Sequence, residues 1–134
     1  MPITLNGTTG IVTPKLDALD LELGSKNVVE RGSNANGEYV RFADGTQIVI
    51  KRFSLSSAIN VANYGGFISP FQVWNFPASF SATPALSAVA EGNTSFGILA
   101  GTSSTSDASL PWVAVSSQGV ATRVASAVAV GRWF

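Results

Sequence analysis

The chain has 134 residues with eight basic and eight acidic side chains, and it contains neither histidine nor cysteine. Without these residue types there is no Ser-His-Asp or Cys-His nucleophile, no zinc, haem or iron–sulfur site built on imidazole or thiolate, and no disulfide. The zero net charge argues against electrostatic binding of nucleic acid, and the length suits one domain with an appendage.

Charge is concentrated in the first part of the chain. Residues 1–52 carry 12 of the 16 charged side chains, and residues 53–134 carry the other four. Those four are Glu91, Asp107, Arg123 and Arg132. Two interpretations stay open: a β domain with a surface of Ser, Thr, Asn and Gly, or a surface buried against identical or neighbouring subunits. We favour the second, because a surface with so little charge promotes association.

Residues 1–36 are predicted to form an extended N-terminal arm. The first residues lack the basic and apolar regions of a secretory signal, so we expect synthesis in a cytoplasm. Within the arm, residues 13–24 fit two structures. Pro14 and the leucines at 16, 19 and 23 favour a helix, whereas the alternation over 19–23 favours a strand. Residues 32–37 are rich in Gly, Asn and Ser and predict a linker or loop.

From residue 38 the pattern is that of β-strands, and residues 37–134 are the predicted folded domain. Residues 38–42 and 46–53 flank Asp44-Gly45, a hairpin signal. Further strands are predicted over 71–76, about 85–91, 95–100 and 111–116, and the last segment, 120–134, with loops over 92–94 and 101–109. The spacing predicts an all-β fold, an antiparallel sandwich. In the last strand an alanine face lies opposite the valines, which indicates close approach of another layer, such as another subunit.

Four segments, in order, resemble bacteriophage and prophage tail-fibre proteins. Ile3–Ile11 resembles a repeat-like element of fibre shafts, and Asn36–Ile48 resembles a GxYxRFxDGTQ hairpin. Phe76–Pro84 resembles an FPxxFxxxP segment, and Gly131–Trp133 resembles a GRW ending. The resemblance covers most of the chain and implies a homotrimeric tip of lectin-like β-sandwich domains, similar in layout to the H-type lectins, which bind sugars. Tail fibres usually have a long shaft, whereas only about 36 residues precede this domain, so we expect a short fibre, a spike or a decoration of a head or tail.

The matched residues have structural interpretations. Asp44-Gly45 suits a turn because glycine accepts positive φ and aspartate bonds its own backbone. Trp133, beside Arg132, is predicted to anchor the last strand by packing or a cation–π contact. The other motif residues are assigned to the hairpin, a strand end and a core plug: Tyr39, Arg41, Phe42, Phe76, Pro77, Phe80 and Pro84.

Catalysis is not predicted. Some tail spikes digest surface sugars with paired carboxylates, but only Glu91 and Asp107 lie beyond the hairpin, which is too few for such a site. The sequence has no phosphate-binding loop and no EF-hand spacing, and no metal or cofactor is expected.

Carbohydrate binding is the plausible chemistry, because two predicted loops combine an aromatic side chain with polar groups. The candidate glycan-binding residues are Glu91, Asn93, Asp107 and Trp112. The alternative is that Trp112 belongs to the core and that the loops are merely solvated. Weak sites repeated around a trimer and over a particle would bind through avidity.

The sequence therefore predicts a virion structural protein made in the cytoplasm of a host bacterium, a homotrimeric tail fibre, head fibre or spike. The expected partners are its own copies, other virion proteins through residues 1–36, and a host surface glycan or receptor. Nucleic acid and membrane insertion are not expected, since no apolar run approaches the roughly 20 residues of a membrane span. The alternatives are a capsid decoration or tail adaptor without receptor binding, and a cellular sugar-binding lectin.

Overall fold

The computed structural model describes residues 28–92 and 95–134, and this part of the chain is all-β. It contains eleven strands, paired antiparallel in three sheets. The strands are β1 Val28–Asn34, β2 Gly37–Phe42, β3 Thr46–Ile59, β4 Val61–Asn63, β5 Gly66–Ile68, β6 Val73–Asn75, β7 Ala85–Ala90, β8 Phe96–Ile98, β9 Asp107–Ser109, β10 Trp112–Ala114 and β11 Gln118–Arg132. Within the described residues there is no helix that could cross a membrane.

The largest sheet has five strands in the order β1-β2-β3-β11-β7. Its centre is the long pair β3 and β11, which stays in register from Ser57↔Ala121 to Thr46↔Arg132. Because successive side chains of a strand point to opposite faces, the odd-numbered residues of these two strands share one face. Val49 lies on that face and is fully buried. The other face carries the even-numbered valines and isoleucines.

The alanine face of β11 points into the core of the same chain. Ala125, Ala127 and Ala129 are buried within one cluster with the aromatic residues. Their small side chains let the 76–84 segment lie close to the strand, and a Cβ on Gly131 would come within 3.0 Å of the Phe80 ring. The sequence predicts another layer, such as another subunit, on the alanine face. That layer is instead formed by residues of this same chain.

The other two sheets are a four-stranded sheet in the order β4-β5-β10-β8 and the pair β6-β9. Their aromatic residues fill the core through edge-to-face contacts. The Phe76 ring lies 5.0 Å from Trp74 and 5.3 Å from Phe80, and the Phe96 ring lies 5.5 Å from Trp112. Large rings in this geometry supply much of the apolar area that stabilises a small domain.

Residues 32–37 differ from the predicted linker. Val28–Asn34 forms β1, which pairs with β2, and only residues 35 and 36 make the turn. The predicted boundary between residues 36 and 37 thus falls within a hairpin. Since β1 is almost entirely exposed and lacks an alternating pattern, its strand structure depends on pairing with β2 rather than on local sequence.

The remaining strand predictions are confirmed with changed bounds. β3 extends beyond the predicted end at residue 53, and the strands predicted over 71–76, 95–100 and 111–116 are three residues long each. Three short strands were not predicted: β4 and β5, and β9 within the expected loop over 101–109. The predictions for residues 1–27, including the helix-or-strand alternative over 13–24, lie outside the described residues.

Candidate functional site

Three of the four segments that resemble tail fibres meet at one end of the five-stranded sheet, and the fourth, Ile3–Ile11, lies outside the described residues. The buried Gln47 amide donates to the carbonyls of Ala78, at 3.0 Å, and Ser79, at 3.1 Å. The backbone N–H of Ser81 donates to the carbonyl of Arg132 at 2.8 Å. These bonds tie the hairpin and the chain end to the segment between the two motif prolines, so the shared motif serves the fold.

The FPxxFxxxP segment fills the core as predicted. Phe76 and Phe80 are both buried, and their backbone N–H groups donate to the carbonyls of Ser106 and Thr105 at 2.8 Å. Satisfying the amides of an irregular segment in this way lets it lie in the interior without unpaired polar groups. The segment is therefore held on one side by the aromatic core and on the other by the 105–106 loop.

The Asp44-Gly45 turn has the predicted geometry. Gly45 has φ of 92°, which favours glycine, and its N–H donates to the Phe42 carbonyl at 3.0 Å. The Asp44 carboxylate accepts from the Thr46 backbone N–H at 2.8 Å, and this bond lowers the pKa of Asp44. The turn is therefore fixed by hydrogen bonds between residues that are near neighbours in the sequence.

Trp133 anchors the chain end on that turn. Its backbone N–H donates to the Gly45 carbonyl and its indole N–H to the Phe42 carbonyl, both at 2.9 Å. The cation over its ring is Arg41, at 5.0 Å, whereas Arg132 lies over the ring of the terminal phenylalanine at 5.9 Å. The anchor is therefore built from a neighbour distant in sequence, not from the adjacent arginine.

Arg41 also organises a polar network across the first three strands. Its guanidinium donates to Glu30 at 2.9 Å and to Gln47 at 2.6 Å, and the Tyr39 hydroxyl donates to Glu30 at 2.5 Å. The Tyr39 and then the Arg41 hydrogen bonds lower the pKa of Glu30, and the bond to Glu30 raises the pKa of Tyr39. Glu30 was not singled out in the sequence because it lies in the unpredicted strand β1.

The structure describes three of the four candidate glycan-binding residues, Glu91, Asp107 and Trp112. Trp112 is 0% exposed and packs edge-to-face on Phe96, so it belongs to the core, which is the alternative interpretation given above. Asp107 lies in β9 and accepts from the Ser106 hydroxyl at 3.3 Å. Asn93 lies outside the described residues.

Glu91 is engaged by its own chain. Its carboxylate accepts from Arg52, at 2.8 and 2.9 Å, and from the Ser126 hydroxyl at 2.6 Å. These two partners, Arg52 first, lower the pKa of Glu91. Arg52 lies 39 residues away in the sequence, so local patterns could not indicate the pair. Glu91 directly follows β7, and its bonds to Arg52 and Ser126 tie the end of that strand to β3 and β11.

The outward side of the five-stranded sheet is the clearest surface for binding. We define the valine face as Val40, Ile48, Ile50, Val89, Val128 and Val130, which the register places on the side opposite the core. Val89 is 60% exposed, Ile50 46% and Val130 41%. A cavity of about 770 Å³ lies over this face, next to the turn between β1 and β2.

The valine face has the chemistry of an interface rather than of a catalytic centre. Contiguous exposed valine and isoleucine side chains favour contact with another apolar surface. Its charged neighbours include Glu38, opposite Ile50 in β2, and the ion pair of Arg52 with Glu91. In the described part of the chain no three acidic side chains gather in the manner of a metal site.

The described residues thus form an all-β domain of antiparallel sheets. Two solved structures share its fold. One is the N-truncated R1-type pyocin tail fibre, at 12% identity and a TM-score of 0.52, covering 92% of this chain and 99% of that chain. The other is the Pseudomonas aeruginosa R1 pyocin fibre comprising C-terminal residues 323–701, at 16% identity and a TM-score of 0.52, covering 93% of this chain.

At these identities the similarity establishes the fold alone. This chain spans 33% of the longer pyocin fragment. No protein-family model and no curated protein matches the sequence. The tail-fibre fold that the motifs predicted is supported by the structural neighbours.

Proposed function

We propose that the chain is a structural protein of a phage or phage-tail-like particle, a homotrimeric fibre or spike whose folded domain contacts the host surface. The observation that carries the proposal is the valine face, an exposed apolar sheet surface on a domain that shares its fold with pyocin tail-fibre fragments. In this proposal the five- and four-stranded sheets are the two layers of a β-sandwich, with β7 against β8 and β3 against β10.

Self-association explains the composition of the domain. Residues 53–134 carry only four charges, and two of them, Glu91 and Arg123, are engaged within the chain. In a trimer the valine face of each copy packs on a different surface of the next copy, and a threefold rotation closes the ring. Closure covers all three valine faces.

In this proposal the predicted arm, residues 1–36, joins the protein to other virion proteins through the part that precedes β1, and the domain projects outward to a host glycan or receptor. No catalytic activity is assigned. Assembly would take place on particles made in the host cytoplasm. The high copy number on a particle multiplies weak contacts with the cell surface through avidity.

Native mass spectrometry of the full chain tests the oligomeric state. The proposal expects a trimer at micromolar concentration. A stable monomer at that concentration contradicts it, because the exposed Val89 and Ile50 would then have no partner.

A second candidate is a capsid decoration or tail adaptor without receptor binding. It is favoured by the burial of Trp112 and by the intrachain contacts of Glu91, which leave neither of these two candidates free for a sugar. Deleting the gene separates the two. Complete particles that fail to adsorb to cells support host contact, whereas particles that fail to assemble or lose stability support the structural role.

A further inference from the structure

Tyr64 has a backbone conformation that its side chain disfavours. Its φ is 44°, and among the described residues it is the non-glycine residue with positive φ. With Gly65, whose φ is 82°, it forms the two-residue turn between β4 and β5, as in a type I′ turn. Asn and Gly are the residues that suit such a turn, and a bulky residue there is strained. Local structure therefore gives no reason for tyrosine at this position.

The Tyr64 ring is fully exposed to solvent. In the described part of the chain it makes no hydrogen bond and no ring contact. Strained residues that persist without a role in packing are found at binding sites. The ring is therefore accessible to a ligand that binds from outside the folded chain.

A groove of about 590 Å³ begins beside this ring and runs over the outer side of the four-stranded sheet. Its width comes from glycines, which place no side chain in it. A Cβ on Gly97 would meet nothing nearer than Val113 at 3.7 Å, so the space above that residue is open. Exposed Asn63 lies at the turn, and Leu99 and Val115 complete the edge.

The described lining of the groove carries no charged side chain. Arg123 of β11 lies 5.1 Å from the ring of Phe96, which lines the groove. That guanidinium is buried and donates to Ser57 and Gln118, so it is not free to hold an anion. A phosphate or a nucleic-acid backbone would need exposed cations.

An exposed aromatic ring, an amide and a neutral, partly apolar groove together suit one class of ligand. The C–H side of a sugar ring packs on an aromatic face, and its hydroxyls bond to amide and backbone groups at the edge. The groove is smaller than the valine face and lacks its row of branched side chains. A second copy of this chain therefore fits the valine face better than the groove.

We infer that Tyr64, with Asn63 and the groove lined by Gly97, binds an uncharged oligosaccharide of the host surface. The inference rests on the proposed function and deepens it by moving the glycan site from the predicted loops to this turn. Avidity over many copies makes a shallow site of this kind effective.

Four single variants of the full chain test the site. Tyr64→Phe keeps the ring, Tyr64→Asn removes it with a residue suited to the turn, and Gly97→Val fills the groove where a Cβ has room. Phe71→Asn is the matched control, because Phe71 is an exposed aromatic residue outside the groove. Circular dichroism confirms the fold of each protein before binding is measured.

The probes are a glycan array of neutral hexose and N-acetylhexosamine oligosaccharides with sialylated counterparts, followed by saturation-transfer NMR with the strongest neutral glycan at millimolar concentration. We expect binding by the wild type, Tyr64→Phe and Phe71→Asn, and a loss of at least about tenfold in Tyr64→Asn and Gly97→Val. Undiminished binding by Tyr64→Asn overturns the inference, as does a wild type that binds only sialylated glycans or none.

Particle composition keeps this result separate from the proposed function. If antibody labels the purified particles while Tyr64→Asn binds glycans normally, the site is wrong and the virion role stands. If no particle carries the protein, the virion role fails whatever the array shows.

Discussion

Replacing Ile50 and Val89 by serine tests whether the valine face holds copies of the chain together. Ile50 is 46% exposed and Val89 60%, so about half of each side chain is left for a partner to cover. Full burial of such a side chain is worth about 1.5–3 kcal/mol, so the exposed half contributes about 1 kcal/mol. The double variant should lose about 2 kcal/mol at each interface, a roughly 30-fold weaker dissociation constant.

Sedimentation velocity over a concentration series measures this shift. The matched control is Val61→Ser with Val73→Ser, two exposed valines in β4 and β6, away from the valine face. We expect the control to associate like the wild type. Equal weakening in both double variants, or unchanged association in the Ile50 and Val89 pair, refutes the assignment of the face.

Three further predictions concern stability, each measured by urea unfolding. Tyr64→Asn should raise the free energy of unfolding by about 1 kcal/mol, because asparagine tolerates the positive φ. Gln47→Ala should lower it by about 2–3 kcal/mol, since buried carbonyls and the Arg41 donor lose their partner. The free energy should also fall as the pH drops below the ordinary value of 4.5 for Glu91, whose pKa is lowered in the folded state. That contribution is present above 4.5 and is lost as the carboxylate is protonated.

The Gln47 and Glu91 predictions each have a control variant. Gln72→Ala removes an exposed amide bonded to a near neighbour, and its effect should stay within about 0.5 kcal/mol. Glu91→Gln should flatten the acid dependence, and an unchanged slope would exclude Glu91 as its source. A less stable Tyr64→Asn protein would show that the ring has a packing role after all.

Local patterns predicted the central strands well. Apolar residues alternate in the β-branched run over 46–53 and in β11. This period of two matches the structure, because each of the two strands has one face in the core. The Asp44-Gly45 turn is fixed by bonds between near neighbours, so its sequence is sufficient to predict it. The all-β, antiparallel character follows from these elements.

Long-range contacts explain what could not be predicted. β1 forms by pairing with β2, and Glu91 is held by an arginine 39 residues away. A tryptophan such as Trp112 suits either a sugar-binding site or the core, and only its burial in the folded chain decides between these two roles. Tyr64 could not be predicted as a special position, because its strain is visible only in its positive φ angle.

Electron microscopy of purified particles with gold-labelled antibody against the folded domain shows whether the protein is part of a virion. We expect gold at discrete positions on intact particles, together with a trimer of this chain when the particles are dissociated and examined by native mass spectrometry. Particles without label, and a protein found only as a free monomer in the cell extract, would contradict it.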